Sequence, residues 1–149
     1  MIEQLAFLLG TWRGAGHEEY PTVDDTDYEE EMVFGNDGEP FLTYRQRAWA
    51  PDSGDTLHAE SGFWRLAGDG TLEVCLGHPL GLTEVSEGRA DGVRIELASR
   101  SISRTATGEP VSGVERRYVV DGDTMRYDIF MALDQVPTTL HLRAELRRV

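Results

Sequence analysis

A single cysteine, Cys75, stands among 149 residues. One thiol cannot close an internal disulfide, and nothing accompanies it at zinc-site spacing, so neither a disulfide framework nor a thiolate metal site organises the chain. Basic side chains are also few: 14 Lys plus Arg against 27 Asp plus Glu leave a formal charge of -13. Phosphate neutralisation needs concentrated Lys and Arg, so the balance argues against a nucleic-acid partner and against an anionic membrane surface. Long hydrophobic runs are missing too. Met1 to Leu9 has no basic flank and no apolar stretch of signal-peptide or spanning length, and a soluble, cytoplasmic protein is expected. There is no Gly-x-Ser-x-Gly elbow, no Gly-x-x-x-x-Gly-Lys phosphate loop and no dinucleotide fingerprint. Carboxylates abound, yet no pair has a spacing that assigns general acid and base roles.

What is present is alternation. Aliphatic and aromatic residues recur with period two, and the breaks between these runs are rich in Gly, Asp and Pro, which is a strand-and-turn pattern. From Thr124 onward, Met125, Tyr127, Ile129, Met131 and Leu133 share one face. Tyr28, Glu30, Met32 and Phe34 alternate in the same way, as do Leu72, Val74 and Leu76, and Val93, Ile95 and Leu97. Turn signals such as Asp91-Gly92 and Asp121-Gly122-Asp123 recur about one strand apart, as in an antiparallel meander. Ile2, Leu5, Ala6, Leu8 and Leu9 instead follow helical spacing and stop at Gly10, predicting a short N-terminal helix. The expected fold is all-β, with about ten antiparallel strands closed into a barrel, because closure removes the two exposed edges of a meander. Residues 1–149 form one domain in this reading, long enough to bury about 68–70% of the unfolded chain's surface. The acidic run from Asp24 to Glu31 is expected to be a solvated loop leading into a strand, with a cation site as the alternative, although it lacks EF-hand spacing.

A barrel slightly wider than about eight strands leaves space that side chains do not fill, which suggests a bound apolar or amphipathic small molecule. The nitrogen ligands available to a metal or haem iron are His17, His58, His78 and His141, and spacing joins no two of them. His17 reads as a surface residue, and His78, beside Pro79, as a structural or solvent-exposed residue in a turn. Alternation places Cys75 on the outer face of its strand as an inert thiol, and Trp12, Trp49 and Trp64 read as core or barrel-closing aromatics. On the last strand, Leu140, Leu142, Ala144 and Leu146 form the apolar face, so strict alternation turns His141 outward with Arg143 and Glu145. A bulge near Pro137, or a pocket opening at the barrel mouth, is needed to bring His141 onto a buried ligand.

Several ordered segments carry a resemblance. Leu8-Leu9-Gly10-Thr11-Trp12-Arg13-Gly14-Ala15-Gly16, Tyr20-Pro21-Thr22, Leu57-His58-Ala59-Glu60-Ser61-Gly62-Phe63-Trp64-Arg65, His78-Pro79-Leu80-Gly81-Leu82-Thr83-Glu84-Val85 and the closing His141-Leu142-Arg143-Ala144-Glu145-Leu146 resemble the nitrobindin family across nearly the whole chain. These are calycin-like barrels similar to fatty-acid-binding proteins. The resemblance implies a barrel that holds haem b at one end, with His141 as the proximal iron ligand. It further implies that Met131, Leu57 and His58 line the haem pocket, and that the Gly10–Gly16 segment, with Thr11 and Trp12, helps to frame it. The implied activity is conversion of peroxynitrite to nitrate at ferric haem, with nitric oxide binding at ferrous haem, and no protein residue acts as a catalyst beyond the iron. The implied partner is a small-molecule ligand, with a homodimer left open. The chain departs from the family in the polar run Asp24 to Asp27, where an aromatic residue is usual. A carrier of fatty-acid-like molecules and a sensor of haem or nitric oxide are the other readings.

Overall fold

The computed structural model describes residues 1–149. Each alternating run becomes a strand, and each break becomes a short turn: β1 (Gly10–Tyr20), β2 (Val23–Gly35), β3 (Phe41–Trp49), β4 (Thr56–Leu66), β5 (Leu72–His78), β6 (Leu82–Asp91), β7 (Arg94–Arg104), β8 (Val111–Asp121), β9 (Thr124–Leu133) and β10 (Val136–Arg148). Every strand pairs antiparallel with the next, and β1 pairs with β10, so the sheet is a closed barrel without a free edge. Two turns show the local cause. Asp91 pairs with Arg94 around Gly92-Val93, and Asp121 with Thr124 around Gly122-Asp123. Gly92 and Gly122 adopt φ of 61° and 59°. A glycine at the first central position of a two-residue loop is what a type II′ hairpin needs.

Two expectations need correction here. Val93 lies in that hairpin turn and is exposed, so the inward face of β7 begins at Ile95. The acidic run is not a loop: β2 starts at Val23, and Asp24, Asp25, Asp27 and Glu29 are exposed along it while Tyr28 and Glu30 point inward. Cross-strand pairing to β1 over Thr26 to Phe34 satisfies the backbone, which the local charge cannot prevent because it faces water.

One end of the barrel is plugged. The N-terminal helix is a 3₁₀ helix, Ile2–Leu8, whose Leu5 and Leu8 are fully buried. Trp12 donates its ring N–H to the Leu8 carbonyl at 2.8 Å, and the Arg148 guanidinium lies 4.2 Å above the Trp12 ring. Arg148 also donates to the carbonyls of Phe7 and Leu9 at the helix C-terminus, satisfying groups that the helix itself leaves open. Behind this plug, Trp12, Phe34, Trp64, Leu72, Ile95, Met125 and Leu146 fill the interior from alternate positions of seven strands. Cys75 points outward from β5, as alternation predicted.

Candidate ligand cavity

Above the apolar plug the inward positions turn polar. Glu30, Gln46, Glu60, Glu84, Ser86 and Arg116 are buried, and they form two hydrogen-bonded groups at the cavity floor. In the first, Tyr127 donates to Glu30 Oε1 at 2.7 Å, Gln46 donates to Glu30 Oε2 at 2.6 Å, and Tyr28 meets Tyr127 hydroxyl to hydroxyl at 2.6 Å. Burial pushes the Glu30 carboxyl up to about 7, against the opposing pull of those two bonds. In the second group, Arg116 binds Glu60 through two bonds of 2.7 and 2.9 Å and Glu84 through two of 3.0 and 2.8 Å. Burial opposes ionisation of both carboxyls, but the guanidinium and the facing imidazoles outweigh it. Glu60 is held well below the usual carboxylate range and Glu84 at about 2.

Over this floor lies a cavity of about 380 Å³ with largely apolar walls, including Met32, Leu82, Val111, Ile129 and Leu142. Its mouth is rimmed by Val23, Leu57 and Leu80, each more than 40% exposed at 48%, 46% and 42%. Large apolar side chains gathered at an opening mark a place where an apolar ligand enters.

His141 lines this cavity together with its neighbour Leu142. The cause is a register shift: Leu140 faces Phe130 and Leu142 faces Ile129, so His141 is the extra residue of a bulge in β10. Strict alternation would have sent His141 outward, and the bulge cancels that parity. A second irregularity between Val136 and Thr139 lies beside Pro137. His141 Nε2 stands 2.7 Å from Glu18 Oε2, and the Tyr20 ring meets the imidazole edge-on at 5.3 Å between centroids. The bond from His141 pulls the Glu18 carboxyl below its ordinary value.

The fold brings Met131, Leu57 and His58 to the same cavity. Met131 is further fixed because its carbonyl accepts from the Tyr20 hydroxyl at 3.0 Å. Thr11 and Trp12 are not among the residues lining it. Trp12 is spent on the plug at the closed end, and Thr11 pairs with Val33 beside it, so the expectation that these two frame the pocket is corrected. The glycine segment reaches the cavity at its far end instead, where Gly16 packs against the Tyr28 ring.

His78 also needs correction. It ends β5 with its side chain only 7% exposed, between Glu84 at 3.1 Å and Glu60 at 3.5 Å. Sequence reading missed this polar floor, although a signal existed: Glu30 stands at an inward parity between Tyr28 and Met32, and Arg116 between Val114 and Tyr118. His17 is exposed and paired with Asp27 on the outer wall, as expected.

A closed ten-stranded barrel, plugged at one end and offering an imidazole in an apolar cavity at the other, defines a barrel that encloses a small-molecule ligand. The family described as "THAP4-like, heme-binding beta-barrel domain" matches residues 1–148, and the chain belongs to it. This is the nitrobindin family that the sequence resembles. The chain is 48% identical to the peroxynitrite isomerase of Nocardia farcinica, covering 99% of this chain and 90% of that one. It is 42% identical to peroxynitrite isomerase 1 of Rhodococcus jostii, covering 97% and 82%. Among solved structures, Rv2717c of M. tuberculosis superposes with a TM-score of 0.92 at 39% identity, over 99% of this chain and 96% of that one. The S-type phycobiliprotein lyase of Guillardia theta shares the fold at a TM-score of 0.62 and 10% identity, over 99% and 91% of the two chains. No helix is long and apolar enough to cross a membrane.

Proposed function

We propose that the cavity holds haem b through His141 and that the protein isomerises peroxynitrite to nitrate, with nitric oxide binding when the iron is reduced. The observation that carries this reading is the β10 bulge, which turns an imidazole nitrogen into an apolar, open-mouthed cavity. The residues present fit the group. A haem asks for a nitrogen donor and an apolar slot, and His141 stands in the wall with Met131, Leu142, Ile129 and Leu57 around it. The names of the two bacterial relatives supply the reaction.

When bound, ferric haem supplies the iron centre at which peroxynitrite and nitrate, which are isomers, interconvert without net gain or loss of protons or electrons. The chain has the complementary tasks. His141 would hold the metal through one imidazole nitrogen, in exchange for its bond to Glu18. Met131, Leu142 and Ile129 exclude bulk water from the slot, and the mouth at Leu57 and Leu80 admits the small anion. No general acid is required, in keeping with carboxylates that are tied up in the floor networks.

The carrier reading fares worse on a specific point. A fatty-acid head group is held most strongly by a guanidinium, and Arg116, the one arginine lining the cavity, already has Glu60 and Glu84 on it. The test is to titrate the purified protein with ferric haem, then mix the complex with peroxynitrite and follow both its decay and the nitrate yield. One equivalent of haem and a catalytic rise in nitrate are expected; haem uptake without faster decay would refute the activity, and displacement of a fluorescent fatty acid without haem uptake would favour the carrier.

A further inference from the structure

Two imidazoles at the cavity floor converge on a single carboxylate oxygen. His58 Nε2 lies 3.3 Å from Glu60 Oε2, and His78 Nδ1 lies 3.5 Å from the same atom. All three donor atoms fall within 4.8 Å of one another. A tetrahedral zinc ion with bonds of about 2.0–2.1 Å sets its ligand atoms about 3.3–3.4 Å apart. The two separations, 3.3 and 3.5 Å, are close to that length.

The surrounding residues orient these donors as metal ligands are oriented. His78 presents its other nitrogen, Nε2, to Glu84 Oε1 at 3.1 Å. A proton on Nε2 serves that carboxylate and leaves the Nδ1 lone pair aimed at Glu60, the arrangement in which a carboxylate fixes a ligating histidine. Glu60 is held in turn: Oε1 accepts from the Tyr44 hydroxyl at 2.8 Å and from Arg116 at 2.7 Å, while Oε2 accepts from Arg116 at 2.9 Å and is also the oxygen that faces the two imidazoles.

Charge points the same way. Glu60 and Glu84 bring two negative charges and Arg116 one positive, all buried, so these three groups sum to one negative charge beside the two imidazoles. With its proton on Nε2, His78 turns the lone pair of Nδ1 toward a lone pair of Glu60 Oε2, 3.5 Å away. A cation at that point relieves both. Independently, Gln46 Oε1, which is buried and lines the same cavity beside Glu60 on the neighbouring strand, has no hydrogen-bond partner. It is an acceptor suited to a metal-bound water.

We propose that His58 Nε2, His78 Nδ1 and Glu60 Oε2 form a binding site for a divalent first-row transition ion, with zinc the geometric match and a further coordination position open to the cavity. Two imidazoles, one carboxylate and an open position are the donor set of reactive rather than structural metal sites. Glu60 and His78 also border a second groove of about 780 Å³, whereas His58 lines the cavity. The site is independent of His141, and its failure would leave the haem reading untouched.

The experiment is titration of the chelator-stripped full chain with Zn²⁺ by calorimetry and with Co²⁺ by visible absorption. One equivalent binding at micromolar affinity or tighter is expected, with the intense visible bands of low-coordinate Co²⁺ and a Zn²⁺-dependent rise in Tm. His58→Ala should weaken binding at least about tenfold and remove the Co²⁺ bands. His58→Gln, which fills the same space, should do the same, separating lost ligation from lost packing. His141→Ala should bind as the parent does. So should His17→Ala, which disables the exposed surface group of His17, Glu19 and Asp25. Absence of saturable binding, or binding lost with His17→Ala and kept with His58→Ala, would overturn the assignment.

Discussion

His141 and Glu18 meet nitrogen to oxygen at 2.7 Å, at the point where β10 bulges against β9. If His141 holds the iron through this nitrogen, as proposed, Glu18 competes with haem for it. Glu18→Ala is expected to speed ferric haem uptake and tighten it several-fold, measured by the Soret absorbance in stopped-flow and equilibrium titrations. Weaker binding in the variant would mean that the carboxylate orients the liganded imidazole instead.

Glu30 makes stability fall as pH rises. Its carboxyl sits at about 7 in the folded protein against an ordinary 4.5, so the folded state holds a proton that the unfolded state has lost between those values. The contribution is complete below pH 4.5 and is lost as pH rises through about 7. At about 1.4 kcal/mol per pH unit, the swing is about 3 kcal/mol. Glu30→Gln keeps an acceptor for Tyr127 and removes the titration. Its urea-unfolding free energy, compared with the parent at pH 5 and pH 8, should show a relative gain at the higher pH; an unchanged difference would contradict the assignment.

The strands were readable because burial repeats every second residue, and Leu72, Val74 and Leu76 or Met125, Tyr127 and Ile129 display that repeat without interruption. The orientation of His141 was not. Parity along β10 is interrupted by one extra residue, and only the pairing of Leu140 with Phe130 and Leu142 with Ile129 reveals it. His78 was misread for a related reason: its burial depends on Glu60 and Glu84, which belong to β4 and β6 and carry no local mark of meeting it. Trp12 shows the opposite limit. The resemblance placed it at the pocket, but a ring this large at the third residue of β1 packs under the 3₁₀ helix.

Arg116 is the one guanidinium between two buried carboxylates, and its removal strands both. Arg116→Met should lower the unfolding free energy by about 3–5 kcal/mol at neutral pH. The pH dependence should also reverse. With the guanidinium, the depressed carboxyls of Glu60 and Glu84 contribute stability above their unfolded values near 4.5, and this is lost on acidification. Without it, burial dominates and the variant should gain stability as pH falls. A loss below about 1 kcal/mol would show that the network is balanced by other charges.

Gly16 leaves room for the Tyr28 ring. A methyl group there would lie 2.3 Å from the ring carbon bearing the hydroxyl, and the ring cannot retreat without breaking its 2.6 Å bond to Tyr127. Gly16→Ala should cost about 1–3 kcal/mol and displace Tyr28 within the cavity. The readout is reduced thermal stability together with weaker haem uptake; stability and uptake equal to the parent would show that the ring adjusts freely.

The most direct measurement is ferric haem binding to His141→Gly, with and without added imidazole. If the bulge delivers the iron ligand, the variant loses the parent Soret spectrum, and free imidazole entering the vacated space restores it. A variant that binds haem with parental affinity and an unchanged spectrum, indifferent to imidazole, would contradict the account.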